Sequence, residues 1–265
     1  MIRKIVAIMI GLIGLTLLLT ACPGIPIPGY VLEVSGGTYT QQQQIDSKDV
    51  VVGTSVIVKL RTGSGDLVSS KGTVTIHGPQ GWNADAAATF SYPTRAYWAV
   101  SSVLKAVPVA GDYQVDVVLG NEKVTGKFSI ADPTLQLPLA DITLNLQGDA
   151  PNQIVQINWN TVPSALGYYT RVMDGTTGTT ASGVIYTLTN KAEVLVGTLN
   201  PAHQYYAVVY AASVDTETNE PTLPTQFNVS DSFAAINQLG ISSSHQGHTR
   251  ARIQTLERDG FQARQ

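Results

Sequence analysis

The sequence predicts an all-β chain that folds as two tandem β-sandwich domains behind a cleaved leader. Only 13% of the residues are charged, and the chain holds 24 glycines and 13 prolines. This composition suits short strands joined by turns better than amphipathic helices. Several short runs alternate apolar and polar residues at period two, which is typical of half-buried strands. The 265 residues are enough for two domains of about 100 to 150 residues each.

Residues 1–21 have the features of a secretory signal. Arg3 and Lys4 form a short positive region, an apolar run occupies 5–19, and small residues end at Ala21. The apolar run is shorter than the roughly 20 residues that a membrane-spanning helix needs, and no charged stop-transfer segment follows it. We therefore expect a cleaved signal peptide rather than a permanent membrane helix.

Cys22 is the single cysteine of the chain, so an internal disulfide is excluded. The run Leu19-Thr20-Ala21-Cys22 resembles the bacterial lipobox. The resemblance implies that the Cys22 thiol is diacylglycerated and that signal peptidase II cuts before it. More than one acyl chain, each contributing about 0.8 kcal/mol per buried methylene, gives long-lived anchoring to the membrane. By resemblance to enterobacterial sorting, Pro23 implies the outer membrane; a single-membrane host would hold the anchor on the outer face of its cytoplasmic membrane.

A proline-rich tether and a first sandwich are predicted to follow the anchor. The tether, residues 22–29, contains three prolines, which exclude a helix and favour an extended chain. The first domain is predicted at 30–132, where 55–61 is one of the alternating runs and Gly120-Asn121-Glu122 is a hairpin connection. The run Gly-Asp-Tyr-Gln-Val-Asp-Val at 111–117 resembles the penultimate strand of bacterial immunoglobulin-like domains. That resemblance implies an Ig-like sandwich.

The rest of the chain divides into a linker, a second domain and a tail. Residues 133–139 contain two prolines between strand-like segments, as an inter-domain linker would. The second domain is predicted at 140–234. The hydrophobic pattern thins beyond it, so 235–265 is predicted to be a flexible tail, with a frayed helix favoured at 249–265.

The second domain resembles a fibronectin type III domain. The stretch 155–169 reads Val-Gln-Ile-Asn-Trp-Asn, then Val-Pro, then Gly-Tyr-Tyr, like strands B and C of that family. The stretch 199–211 is similar to its E–F corner and F strand. The resemblance implies that Trp159 is the core tryptophan and that Tyr205 occupies the tyrosine-corner position. His203 stands where the family usually has threonine.

The sequence contains no motif of a known active site. It has no nucleophile elbow, P-loop, HExxH zinc motif, EF-hand loop or strand-linked GxGxxG fingerprint. We therefore expect no enzymatic activity, no cofactor and no metal. His245 and His248 lack the further ligands of a zinc site. Asp215, Glu217 and Glu220 cluster where the F–G loop is expected, and a solvated loop is favoured there over a cation or partner contact. A net charge of −3 argues against nucleic acid as a partner, because nucleic-acid binding needs positive charge to meet the phosphates.

Trp82 and Trp98 lie with Tyr92 and Tyr97 in a short Ala-rich stretch of the first domain. Exposed aromatic rings of this kind stack on sugars. Core packing is the favoured alternative, because sandwiches generally bury one or two tryptophans.

Together these observations predict a non-catalytic, lipid-anchored protein of the cell envelope. It would serve as a surface scaffold, adhesion or protein-interaction module. Its partners would be the membrane, through the lipid on Cys22, and other envelope proteins or polysaccharide. The alternative is a carbohydrate-binding envelope protein that recognises wall or surface polysaccharide through Trp82 and Trp98, and a third possibility is an enzyme subunit with an unrecognised site. Fold analogy alone does not choose among them.

Overall fold

The fold is described from a computed structural model. In the part of the chain that it describes, every regular element is a β-strand, which confirms the all-β prediction. That part holds no helix long and apolar enough to cross a membrane. The predicted leader, Cys22 and most of the predicted tail lie outside it. The described residues are 29–236, with gaps at 46, 69, 83–88, 93–97, 104–105 and 219, together with 261–262.

The first sandwich packs a three-stranded sheet, β1-β2-β5, against a four-stranded sheet, β4-β3-β6-β7. A constant-type immunoglobulin domain has four strands in the sheet that holds its first two strands. Here β4 pairs with β3 instead, so the fourth strand lies in the opposite sheet. The strands are β1 (Tyr30–Gln42), β2 (Val50–Thr62), β3 (Gly72–His77), β4 (Thr89–Tyr92), β5 (Trp98–Val103), β6 (Gly111–Leu119) and β7 (Glu122–Ile130).

The core of the first sandwich follows directly from the period-two alternation. Val56, Val58 and Leu60 point inward from β2 and are fully buried, while the intervening residues point to the other face. The β6–β7 hairpin also forms where it was predicted. Its turn is Gly120-Asn121, and Glu122 already pairs with Leu119. Gly120 has φ 60, a value that the tight hairpin turn requires and glycine adopts without strain.

The second sandwich repeats the strand order of the first. One of its sheets has the order β8-β9-β13. In the other, β10 pairs with β14 and β14 pairs with β15, and the short strands β11 and β12 together form the edge beside β10. The predicted two-sandwich fold is therefore confirmed. The strands are β8 (Ile142–Gln147), β9 (Gln153–Trp159), β10 (Gly167–Asp174), β11 (Thr179–Thr180), β12 (Ile185–Thr187), β13 (Lys191–Gly197), β14 (Tyr205–Ala212) and β15 (Val229–Ile236).

Both sandwiches carry a tyrosine corner. In the second, Trp159 is 4% exposed, and the Asn200 N–H donates to the Tyr205 hydroxyl at 3.1 Å, as the fibronectin type III resemblance implies. In the first, the Tyr113 hydroxyl accepts from the Val109 N–H and donates to the Val109 carbonyl, both at 2.9 Å. The corner at Tyr113 was missed in the sequence, although the Gly-Asp-Tyr run contains it.

The two sandwiches are fused side by side rather than strung end to end. Strands β1 and β15 pair in parallel over Tyr39↔Val229, Thr40↔Ser230 and Gln41↔Asp231. This pairing joins the β1-β2-β5 sheet and the sheet of β10, β11, β12, β14 and β15 into one continuous sheet, which has nine strands with β16 (Phe261–Gln262) at its edge beside β5. The sequence predicted two tandem sandwiches but not this continuous sheet.

The segment predicted as a linker, 133–139, is bonded to the strands on both sides of that pairing. The Thr38 hydroxyl donates to the Leu135 carbonyl at 2.6 Å, and the Ser230 hydroxyl donates to the Pro138 carbonyl at 2.9 Å. Leu137 is 2% exposed within the core of the second sandwich. The connection is therefore packed against the protein and helps to fix the two sandwiches relative to each other.

Strand β16 (Phe261–Gln262) lies in the predicted tail and pairs with β5. The backbone is extended at these two residues, so the predicted frayed helix is wrong there. Pairing with an edge strand satisfies backbone groups that an isolated helix end would leave without partners.

Candidate functional site: the junction between the sandwiches

The F–G loop of the second sandwich, described at 213–218 and 220–228, lies across β1 and β2 of the first. The Phe227 N–H donates to the Gly36 carbonyl at 3.0 Å. The Phe227 carbonyl accepts from the Ser55 hydroxyl at 2.6 Å. Phe227 itself is fully buried. The loop before the last strand of the second sandwich thus holds the neighbouring sandwich.

Asn228 continues this contact with its side chain. Its Oδ1 accepts from the backbone N–H of Thr38 at 3.0 Å and lies 3.1 Å from the Thr38 hydroxyl. Both residues are buried, and buried hydrogen bonds are not weakened by competing water. The Asn228 side chain therefore bonds to the backbone of β1 as a neighbouring strand would, one residue before the parallel pairing with β15 begins.

Glycine at position 37 allows this close approach. A Cβ on Gly37 would clash with the Phe227 carbonyl oxygen and with Asn228 Oδ1, and would lie 2.9 Å from Gln226 Cγ. Because a backbone carbonyl cannot move out of the way as a flexible side chain can, only glycine fits without displacing the loop. Glycine inside a strand is a recognised mark of such backbone approach.

An ion-pair cluster closes one end of the junction. Glu33 accepts from Lys59 Nζ and from Arg61 Nε, both at 2.8 Å. Burial alone would raise the pKa of Glu33, but the two cations outweigh it and lower that pKa. Lys59 also donates to the Pro221 carbonyl at 3.1 Å, and Arg61 lies 3.5 Å from Glu220. Two cations of the first sandwich thus reach the F–G loop of the second.

The acidic residues of the F–G loop do not converge on one point. Glu220 faces Arg61, whereas Asp215 accepts from the Glu217 N–H at 2.8 Å and Glu217 accepts from the Leu188 N–H at 3.2 Å. Within the described ranges, no group of three or more His, Cys, Asp or Glu side chains is placed to hold a metal ion. The acidic residues of the loop therefore make hydrogen bonds within the second sandwich and one ion pair across the junction.

A buried carboxyl lies at the centre of the junction. The Tyr39 hydroxyl donates to Asp231 Oδ2 at 2.5 Å, and Gln41 donates to the same hydroxyl at 2.8 Å. Asp231 Oδ1 is buried and has no hydrogen-bond partner among the described residues. Burial raises the pKa of Asp231 to about 6, although the Tyr39 hydrogen bond and the positive charge of Arg171 act in the opposite direction. The same environment raises the pKa of Tyr39 well above its usual value, first through burial and then through the Asp231 charge.

We expect Asp231→Asn to remove a pH dependence of stability. A carboxyl whose pKa is higher in the folded than in the unfolded protein favours folding most at low pH. This contribution is fully present below about pH 4. It is lost as the pH rises from about 4 through about 6, and its loss lowers the free energy of unfolding by up to about 3 kcal/mol. The free energy of unfolding, measured by urea titration between pH 4 and 7.5, should therefore fall less steeply with pH in Asp231→Asn than in the parent.

The control for this prediction is Asp66→Asn, which removes the same charge from an exposed turn. Its pH profile should follow that of the parent. Parallel profiles for Asp231→Asn and the parent would show that the buried carboxyl does not titrate in this range.

Two histidines pair with buried carboxylates, a feature that sequence reasoning did not find. His77 lies 3.1 Å from Asp116, which also accepts from Lys123 at 2.9 Å. Burial would raise the pKa of Asp116, but its hydrogen bonds and the Lys123 charge lower it to about 2. His203 lies 2.6 Å from Asp174 and so ties the E–F corner to the turn after β10. Carboxylates held by several donors in this way suit a structural role.

Trp82 is fixed by contacts with the core of the first sandwich. Its ring edge meets Tyr113 with the ring centroids 5.4 Å apart, and its Nε1 donates to the buried Thr54 hydroxyl at 2.8 Å. The ring is half-buried and also covers Gly78, where a Cβ would clash with the indole. These contacts favour packing, and the glycan contact proposed for Trp82 stays a prediction. The backbone of Trp98 opens β5 opposite Lys59, and its side chain lies outside the described part of the structure.

Comparison with known proteins finds similarity in fold alone. No family model and no curated protein matches the chain. A two-domain fibronectin type III segment of chicken tenascin is 11% identical, with 79% of this chain and 99% of that chain covered, at a TM-score of 0.26. The chicken interferon gamma receptor alpha chain is 9% identical, with coverage of 80% and 98% and a TM-score of 0.26. The BSP domain of a biofilm associated protein is 15% identical, with coverage of 78% and 30% and a TM-score of 0.23. The fold assignment rests on the strand order given above.

Proposed function

We propose that this chain is a non-catalytic lipoprotein of the bacterial cell envelope that presents two fused sandwiches as one rigid surface module. The lipobox at Cys22 supplies the anchor, and the tether 22–29 separates the anchor from the first sandwich. The observation that carries the proposal is the junction, since a continuous sheet, a packed connection and the F–G loop all restrain the same two bodies. Such a unit keeps a fixed shape between the membrane and a partner.

The strand register gives the distance between the start of β1, next to the tether, and the C-terminal end of β15. From Tyr30 the chain advances nine residues along β1 to Tyr39, which pairs with Val229, and seven more along β15 to Ile236. At about 3.3 Å per residue, the two strand segments together span about 50 Å. A partner site at the Ile236 end of the second sandwich would thus be held at a defined distance from the lipid surface, which is useful in a scaffold or adhesion protein.

The anchor is tested with Cys22→Ser, which should abolish incorporation of radiolabelled palmitate because only a thiol accepts the diacylglyceryl group. A matched control adds a thiol elsewhere, as Ser64→Cys in the exposed turn after β2, to the Cys22→Ser chain. This double variant should also remain unlabelled. Labelling of Cys22→Ser at the level of the parent would end the lipoprotein proposal.

The interaction role is tested by what the lipidated chain recovers from detergent-solubilised envelope. Recovery of a defined envelope protein that rebinds the purified chain supports a scaffold or adhesion module. Recovery of polysaccharide alone would instead support the carbohydrate-binding alternative.

A further inference from the structure

The first and last strands of the fused sandwiches are parallel neighbours. β1 directly follows the tether, and β15 leads into the chain beyond Ile236. Tension applied through the tether pulls on the N-terminal end of β1, and tension applied at Ile236 pulls on the C-terminal end of β15. In a parallel pair these pulls point in opposite directions along the strands. The bonds between β1 and β15 are then stretched together in shear, instead of opening one after another.

Buried side chains extend this pairing beyond the three backbone partners. Before it, Asn228 Oδ1 accepts from the Thr38 N–H at 3.0 Å. After it, the Gln42 side-chain oxygen accepts from the Phe233 N–H at 2.7 Å. Thr38 and Gln42 are 0% and 5% exposed. Water therefore has little access to exchange with these bonds while they are under load.

Strand β1 cannot slide freely past β15, because β2 holds it along its whole length. The antiparallel register runs from Tyr30↔Thr62 to Gln42↔Val50 without a break. Pulling β1 lengthwise therefore loads its bonds to β2 in shear as well. The junction also offers a direct path between the two ends, so tension does not have to pass through the connection 133–139 and stretch each sandwich in series.

We propose that the parallel β1–β15 pairing is a mechanical clamp that carries tension between the membrane anchor and a partner that pulls on the C-terminal end of β15. This role rests on the proposed lipid anchoring for the source of the tension. The resistance itself depends only on the direction of loading relative to the strands. It can therefore be measured on the unlipidated chain.

The test is single-molecule force spectroscopy on the full chain carrying Cys22→Ser, with handles attached to introduced cysteines. Val31→Cys with Ala235→Cys loads the clamp in shear; Val31 is 52% exposed and accessible. Gln44→Cys with Ala235→Cys pulls on the neighbouring ends of β1 and β15 and opens the same bonds sequentially. We expect the first rupture force in shear to be several-fold higher. Equal rupture forces, or a lower force in shear, would overturn the clamp.

A pair of asparagine variants assigns the resistance to the junction. Asn228→Ala removes the bonds to Thr38 and should lower the rupture force in shear, whereas Asn145→Ala, on the exposed face of β8, should leave it unchanged. If Asn228→Ala does not fold, the comparison of the two loading directions in the parent still decides the proposal. Failure of the clamp would leave palmitate labelling at Cys22 intact, and loss of labelling would leave the forces unchanged, so the two proposals fail separately.

Discussion

Gly37→Ala is expected to separate the two sandwiches, so that thermal unfolding changes from one transition in the parent to two. The added methyl group would clash with the Phe227 carbonyl and Asn228 Oδ1, which forces the F–G loop away from β1. Insertion of a methyl group into a tightly packed contact typically costs about 1 to 3 kcal/mol. We expect the upper end of this range, because the opposing group is backbone. Differential scanning calorimetry measures the number of transitions and their midpoints.

The matched control is Gly183→Ala, in the second sandwich. A Cβ at Gly183 meets nothing within 4 Å, so this variant should melt as the parent does. A single unchanged transition in Gly37→Ala would mean that the junction contributes little to the cohesion of the two sandwiches.

Trp82→Ala is expected to destabilise the first sandwich by about 3 kcal/mol, the lower end of the range for truncating a buried tryptophan. The half-buried indole packs against Tyr113, and its N–H donates to Thr54. Removal of the ring leaves a cavity beside the core and takes one partner from a buried hydroxyl. Urea unfolding measures the loss. Trp82→Phe keeps most of the apolar contact and should cost less.

The same variant separates packing from sugar recognition. If the ring stacks on glycan, Trp82→Ala should keep the parent's stability and lose binding to purified cell-wall polysaccharide. A stably folded variant that has lost such binding would favour the carbohydrate-binding alternative over the scaffold.

The predictable parts of the fold were those with local signals. Period-two alternation located the inward face of β2 around Val56 and Val58, and the turn preference of glycine located the β6–β7 hairpin at Gly120. The local runs around Trp159 and Tyr205, by their resemblance to fibronectin type III strands, indicated the second sandwich. Each of these signals depends on residues close in sequence or on a pattern within one strand.

The junction had only one local signal, the glycine at position 37 inside a strand. A strand glycine indicates close approach of another backbone but not which one. The candidate tryptophans were chosen because exposed aromatics bind sugars. Whether Trp82 is exposed depends on Tyr113 and Thr54, which lie far from it in sequence, so the pattern could not decide its role.

The sequence by itself determined the class of this protein: an all-β chain of two sandwiches, the second with its core tryptophan and tyrosine corner. Hydrophobic periodicity and turn residues are local properties of the sequence and indicated the strands, and the resemblance to fibronectin type III domains indicated Trp159 and Tyr205. Only the tertiary structure decided that β1 pairs with β15. Parallel pairing joins backbone groups that nearly every residue possesses, across about 190 positions of chain in the Thr38–Asn228 contact. It also buries polar residues such as Gln41 and Asp231, whose side chains alone would indicate a solvent face.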